Sequence, residues 1–178
     1  MVKTNTLEDR LSNFGFKIPE NFENMDVNER LEALGLKLPL NPEGNNIFIH
    51  VKEFGGNLAY VAGCGPELDG VLKYKGRVGI EVTIEQAREC AIACTMNFLR
   101  ALQLHYGDLK KIKNFVKMTA YVACNHDYIY PPEVADGSTE LLAILFGPEH
   151  GVPARTSIGV SSLPLGFPVE IEVMVEVY

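Results

Sequence analysis

The fold is decided by two stretches near the C-terminus, residues 153–160 (PARTSIGV) and residues 169–177 (VEIEVMVEV). The second alternates valine or isoleucine with glutamate or methionine over its whole length. A period of two is typical of a β-strand that buries one of its two faces. The first stretch has the same period, so we predict two strands that close the domain.

The alternation also assigns faces in the first stretch. It places Thr156, Ile158 and Val160 on the apolar side, and Arg155, Ser157 and Gly159 on the other side. If the two strands pair as neighbours, Arg155 and Glu170 project from the same non-core face of one sheet. A cation and a carboxylate beside small residues predict a binding site for a small carboxylate ligand.

Upstream of these strands, the pattern predicts three further strands and two helices. The strands cover residues 47–51, 58–62 and 114–123, and the helices cover residues 83–106 and 131–146. The first helix begins with a capping box, Thr83 followed by Gln86, and ends at Gly107. In the second helix, Gly137 is expected to interrupt the first turn.

Each predicted strand has a single apolar side, so both helices are expected to cover the same face of the sheet. In the strand 114–123 that side is formed by Val116, Met118, Ala120 and Val122. The arrangement is an α+β sandwich of two layers. The uncovered face carries polar residues, Tyr121 among them, and is expected to lie in a subunit interface.

Composition and charge limit the classes of function. The chain of 178 residues carries a net charge of −7, which argues against a nucleic-acid binder because phosphate contacts need clustered Lys and Arg. No apolar run is long enough to span a membrane. The first residues lack the apolar core of a secretory signal, so a cytoplasmic location is expected.

Four cysteines occur, at positions 64, 90, 94 and 124, and none forms a C-x-x-C pair. Cys90 and Cys94 lie one helical turn apart, but no histidine or cysteine completes a zinc spacing. We therefore predict no metal site and reduced thiols. Cys64 is interpreted either as a reactive thiol or as a small buried residue.

The first forty residues contain a short internal repeat. Residues 10–19 (RLSNFGFKIP) are matched by residues 30–39 (RLEALGLKLP), and each copy predicts a short helix ended by glycine. We expect two regions, an N-terminal extension at 1–40 and the main domain at 41–178. The extension either packs on the outside of the domain or covers a subunit edge.

The ordered set of motifs resembles the Rid/YjgF family, also called endoribonuclease L-PSP or reactive-intermediate deaminases. The matching pieces are Tyr60-Val61-Ala62-Gly63, the helix from Thr83, the strand 116–122, Pro153-Ala154-Arg155-Thr156-Ser157, Leu163-Pro164 and Val169-Glu170-Ile171-Glu172. The resemblance implies a chorismate-mutase-like fold with a mixed β-sheet. It also implies a homotrimer whose sheets form an inner barrel, with three clefts between subunits.

The resemblance further implies site residues and a reaction. The arginine matching Arg155 binds a substrate carboxylate, and the glutamate matching Glu170 positions the water that attacks an imine carbon. Groups near Gly63, Cys64 and Ser157 line the cleft, with Tyr121 as a further candidate. A 2-imino or 2-enamine acid would give a 2-ketoacid and ammonia, and this chemistry needs no cofactor.

Several alternatives stay open at this point. Arg155 could instead form a structural ion pair with Glu170 or Glu172, and Tyr121 could serve only as interface packing. Many family deaminases carry Ser-Cys where this sequence has Thr156-Ser157, and Gln where it has Cys64. These departures resemble a separate branch of the family. The chain could accordingly be a non-catalytic trimeric protein that binds a small carboxylate, or an endoribonuclease, a class that the acidic charge disfavours.

Overall fold

One mixed sheet with helices on one face forms the main domain of the computed structural model, which describes residues 15–17, 19–40 and 48–178. The helices are α1 (Val27–Ala33), α2 (Ile84–Tyr106) and α3 (Pro131–Gly151). The strands are β1 (Val51–Phe54), β2 (Leu58–Cys64), β3 (Ile112–Ala123), β4 (Ala154–Val160) and β5 (Val169–Val177). Their order in the sheet is β1-β2-β5-β3-β4. The predicted α+β sandwich is confirmed.

The pairing within the sheet differs from the prediction at its C-terminal end. β3 lies between β4 and β5, pairing in parallel with β4 and antiparallel with β5. The two closing strands are therefore not neighbours, although the prediction for Arg155 and Glu170 assumed that they pair with each other. The 163–168 connection crosses the end of β3, which the sequence pattern alone could not reveal.

The first hairpin is shifted along the chain. The predicted strand at 47–51 is wrong, because β1 begins at Val51 and runs to Phe54, and residue 47 lies outside the described residues. Gly55 and Gly56 both have positive φ and form the turn. Glycine adopts this backbone conformation without a steric penalty, so the glycine pair fixes where the hairpin turns.

The long helix α2 follows its sequence signals closely. Thr83 and Gln86 form the predicted capping box, and Gly107 ends the helix with φ of 82°. A capping residue of this kind stabilises a helix by about 1 kcal/mol. Its small buried residues, such as Ala87, Ala91 and Cys94, bring the helix close to the sheet.

The contact between α2 and α3 depends on Gly137. A Cβ atom at this position would lie 2.6 Å from the carbonyl oxygen of Arg88. Next to it, the buried hydroxyls of Thr95 and Ser138 form a hydrogen bond of 2.6 Å between the two helices. Gly137 thus permits close helix packing, and the prediction that it interrupts the helix is wrong. The helical backbone of α3 breaks at Gly147 instead.

The break at Gly147 is closed by the N-terminal extension. The carbonyl of Ile144 would accept a bond from residue 148 in a regular helix, but Pro148 has no N–H. Arg30 of α1 donates to the carbonyls of Ile144 at 3.3 Å and Leu145 at 3.1 Å. The second copy of the internal repeat therefore contributes to a helix, α1, that supplies hydrogen-bond donors to these carbonyls of α3. The helix predicted in the first copy lies outside the described residues.

A bulge changes the expected faces of β3. Phe115 pairs with Val175 and Lys117 pairs with Met174, so Val116 is an extra residue between two successive pairs. Val116 is consequently 39% exposed, while Phe115 is buried. Met118, Ala120 and Val122 are buried as predicted, whereas the prediction for Val116 is wrong.

Candidate functional site

Arg155 lies on the helix-covered side of the sheet. In the parallel pairing of β4 with β3, Arg155 is opposite Met118, a fully buried core residue, so both side chains point toward the helices. Its Nη1 donates to Asp136 Oδ1 at 2.8 Å and to Thr139 Oγ1 at 3.0 Å, both in α3. The predicted placement of Arg155 on the non-core face is therefore wrong.

The reason is the position of β4 at the sheet edge. Here the helix layer covers the strand only in part, so an arginine can face the helices and still reach solvent. Ser157 and Gly159 share this face, since they pair with the buried residues Ala120 and Val122. The alternation in the sequence grouped these residues correctly but could not tell which group faces the core.

The carboxylates of α3 form ion pairs with two arginines. Arg88 of α2 lies 3.9 Å from Asp136 and 2.8 Å from Glu140. Arg155 completes this network through Asp136, so its ion pair is with Asp136 and not with Glu170 or Glu172 as the structural alternative expected. Among the described residues, only Nη1 of Arg155 has protein acceptors. Nε and Nη2, on a side chain that is 21% exposed, keep the geometry for binding a carboxylate.

Glu170 lies on the opposite side of the sheet. It pairs with Tyr121 of β3, while its neighbours Val169 and Ile171 point into the core. The carboxylate covers Gly63, where a Cβ atom would lie 2.2 Å from Glu170 Oε1. Gly63 is thus needed as a glycine so that Glu170 can lie against the β2 backbone.

The surroundings of Glu170 favour its protonated form. Within the described part of the chain, its carboxylate has no hydrogen bond and no ion pair. Burial, and then the nearby Glu172 carboxylate, raise the pKa of Glu170 above its usual value. A carboxylate with a raised pKa is a stronger base than an exposed one, which suits it to accept a proton from water.

Two tyrosines hold the second carboxylate of this face. Tyr121 and Tyr60 donate their hydroxyls to Glu172 Oε1 at 3.1 Å and 3.3 Å. The pKa of Tyr121 is raised by burial first and then by its bond to Glu172. Glu172 is thus held in place on β5, two residues from Glu170 on the same face.

Cys64 is a buried thiol. Its Sγ lies 3.4 Å from the carbonyl oxygen of Ala62. Burial, and then the Glu170 carboxylate, raise the pKa of Cys64 to about 12. The thiol therefore stays protonated at neutral pH, which favours the interpretation of Cys64 as a small core residue over a reactive nucleophile.

The predicted site residues divide between the two faces. Gly63, Tyr121 and Glu170 come together on the open face, whereas Arg155 and Ser157 lie on the helix side. The prediction missed Asp136 and Thr139, which hold Arg155. The polar run at residues 136–139 within an otherwise apolar helix was the available signal.

The described residues contain neither a candidate metal-binding cluster nor a helix that could span a membrane. Residues 15–17, 19–40 and 48–178 contain no group of three His, Cys, Asp or Glu side chains that could hold a metal ion. In the same residues, no helix is long and apolar enough to cross a membrane.

Comparison with known proteins gives a consistent family assignment. The family model described as Endoribonuclease L-PSP matches residues 42–177. Protein TCP17 of Trypanosoma cruzi is 31% identical over 150 residues, which cover 84% of this chain and 93% of that protein. The family model spans the sheet and the two long helices.

Solved structures give the same result. The Agrobacterium tumefaciens protein Atu1372 is 32% identical, with a TM-score of 0.77, over 85% of this chain and 92% of that one. A candidate endoribonuclease from Shewanella oneidensis is 25% identical, with a TM-score of 0.80, over 86% of this chain and 100% of that one. The backbone described above is therefore shared along most of the main domain.

Proposed function

Because the chain belongs to the Endoribonuclease L-PSP (Rid/YjgF) family, we propose that it hydrolyses reactive 2-enamine and 2-imine acids to 2-ketoacids and ammonia. The observation that carries the proposal is the unpaired, half-buried carboxylate of Glu170 over Gly63. A carboxylate held in this way can orient a water molecule and take its proton. An ion pair would lower the pKa of the carboxylate and make it a weaker base.

The reaction needs a second group that binds the substrate carboxylate. Arg155 supplies it, since its Nη1 is held by Asp136 and Thr139 while Nε and Nη2 stay available. A guanidinium edge with two parallel N–H donors fixes the plane of a carboxylate. The fixed carboxylate in turn fixes the adjacent C=N carbon for attack from one side.

The chemical step is balanced without an oxidant or a metal. Glu170 accepts one proton from water as the oxygen forms a bond to the imine carbon, and transfers it to the imine nitrogen, which gives a neutral carbinolamine. Glu170 then takes the hydroxyl proton as the C=O bond forms and delivers it to nitrogen as the C–N bond breaks. The products are a 2-ketoacid and ammonia, which carries both protons of the water. An enamine substrate first gains a proton on carbon and loses one from nitrogen to become the imine.

Arg155 and Glu170 of one chain face opposite sides of the sheet, so one substrate cannot reach both in the same chain. We therefore place the site between two copies, with Arg155 from one subunit and Glu170 from its neighbour. A homotrimer with three such clefts is the assembly that we propose. The exposed side chains of the open face, Tyr60 and Ile158 among them, would then be covered by the neighbouring subunit.

The test uses a substrate made in place, because these imines are short-lived in water. An auxiliary enzyme releases 2-aminoacrylate or 2-iminobutyrate, and ketoacid formation is followed with and without the protein. We expect acceleration over the buffer rate, and its loss in Arg155→Ala. An unchanged rate in the presence of the wild-type protein would contradict hydrolysis.

A non-catalytic role is the second candidate, and the same Arg155 edge supports it. In that case the wild-type protein would not accelerate ketoacid release, but pyruvate, a 2-ketoacid without a large apolar group, would raise its melting temperature, and Arg155→Ala would remove this shift. An endoribonuclease activity, after which relatives are named, is the weaker candidate because the net charge is −7.

A further inference from the structure

A cavity of ≈ 230 Å³ lies between the end of β2, the outer side of α2 and the connection from β4 to β5, and it adjoins the surroundings of Glu170 at Gly63 and Cys64. Its volume is below the roughly 300–1,000 Å³ of pockets that take drug-sized ligands, so it fits a smaller molecule. The lining residues used below are Cys64, Asn97, Arg100, Leu104, Leu165 and Phe167.

Arg100 is the charged residue of interest in this cavity. Its Nη1 donates a hydrogen bond to Gln103 Oε1 at 3.0 Å, and Nε is buried with no partner in the described part of the chain. No described carboxylate lies within 4 Å of its guanidinium, whereas Arg88 and Arg155 both have carboxylate partners. A half-buried guanidinium in this state favours an anionic ligand.

The opposite wall of the cavity is apolar and partly exposed. Leu165 is 68% exposed and Leu104 is 48% exposed, although both are large apolar residues. Leu165 also has a φ of 55°, a backbone conformation that costs a leucine about 1 kcal/mol or more. This backbone conformation holds Leu165 in the wall of the cavity with its apolar side chain largely exposed.

The remaining wall is rigid. Asn97 donates two hydrogen bonds, to the carbonyl oxygens of Gly65 at 2.8 Å and Glu67 at 2.7 Å. A Cβ atom on Gly65 would lie 2.2 Å from the ring of Phe167, so the ring packs directly on this backbone. The exposed Glu67 also lines the cavity and adds a negative charge, which favours a ligand with one negative charge over a dianion.

We propose that this cavity is a binding site for a small monocarboxylate with a branched or aromatic apolar group. Arg100 binds the carboxylate, and Leu104, Leu165 and Phe167 contact the apolar group. The site adjoins Glu170 at Gly63, but it is formed by a single chain and binds the carboxylate through Arg100 instead of Arg155. It does not depend on the proposed reaction.

The test measures binding of 4-methyl-2-oxopentanoate by calorimetry in an Arg155→Gln background, which removes the other candidate carboxylate site. We expect binding in this background and at least about tenfold weaker binding when Arg100→Gln is added, because a charge-assisted pair is lost. Pyruvate, which lacks the apolar group, and 4-methylpentan-2-one, which lacks the carboxylate, are expected to bind more weakly.

The location is checked by amide NMR shifts at Gly65 and Leu165, which we expect to move on binding. Thermal unfolding of each variant, together with the conservative Arg100→Lys, establishes that the fold is intact. The proposal is overturned by no measurable binding, by equal affinity with and without Arg100, by equal affinity for pyruvate, or by shifts confined to other regions.

Discussion

Arg155 and Glu170 project from opposite faces of one sheet, with β3 between their strands. Arg155 pairs with the buried Met118 and contacts α3, whereas Glu170 pairs with Tyr121 and covers Gly63 on the open face. The two residues that family resemblance assigns to one ligand therefore cannot meet on it within a single chain. A shared site requires Arg155 from one subunit and Glu170 from another.

Asp136 is expected to hold Arg155 in its binding orientation. Asp136→Asn removes the charge that Arg155 and Arg88 share, so we predict a loss of about 1–2 kcal/mol in the free energy of unfolding, because both ion pairs are partly shielded from water. Urea unfolding measures this loss. Asp127→Asn, at an exposed position, is the matched control and should have little effect, and an equal loss in both variants would refute the assignment.

The unpaired carboxylate of Glu170 predicts a pH-dependent stability. Its raised pKa means that its favourable contribution is present below the unfolded pKa and is lost as pH rises through the folded pKa. Glu170→Gln should therefore be more stable than the wild type at pH 7–8, and the difference should disappear below the usual glutamate pKa. Urea unfolding at several pH values checks this, and a constant difference would contradict it.

The close approach of Gly63 and Glu170 predicts an energetic coupling. Gly63→Ala should cost about 1–3 kcal/mol in the free energy of unfolding, because its new methyl group would overlap Glu170 Oε1. In a Glu170→Ala background the cost should be much smaller, since the overlap is removed. A double-mutant cycle by urea unfolding measures the coupling, and additive costs would show that the two residues are independent.

Arg30 links the N-terminal extension to the main domain. Arg30→Met keeps much of the aliphatic stem but removes the donors to the carbonyls of Ile144 and Leu145, so we predict a loss of about 1–3 kcal/mol in the free energy of unfolding. Arg77→Met is the control, because its longer contact, 3.8 Å to Glu81, lies at the surface. Comparable losses in the two variants would argue against a special role for Arg30.

The sequence predicted best those features that depend on local signals. The boundaries of α2 follow from Thr83, Gln86 and Gly107, which all act within one helical turn of their own position. The sequence of strands along the chain and the two-layer class follow from period-two alternation, which is also a local property, whereas the order of the strands in the sheet does not. Gly63 and Glu170, which family resemblance assigns to one cleft, lie next to each other in the structure.

What the sequence could not predict depends on tertiary contacts. Alternation grouped Arg155 with Ser157 but could not say which face the helices cover, and β4 is an edge strand whose two faces are both partly polar. The contact of Arg155 with Asp136 joins a strand to a helix. The extra residue at Val116 is visible only when β3 is paired with β5.

The most direct test of the two-subunit site is a mixing experiment. Arg155→Gln and Glu170→Gln are each expected to be inactive in the imine hydrolysis assay. When the two variants are co-expressed so that they form mixed trimers, some clefts combine an intact Arg155 from one chain with an intact Glu170 from the other. Random mixing should then restore about a quarter of the wild-type rate. No recovery in verified mixed trimers would contradict a site shared between subunits.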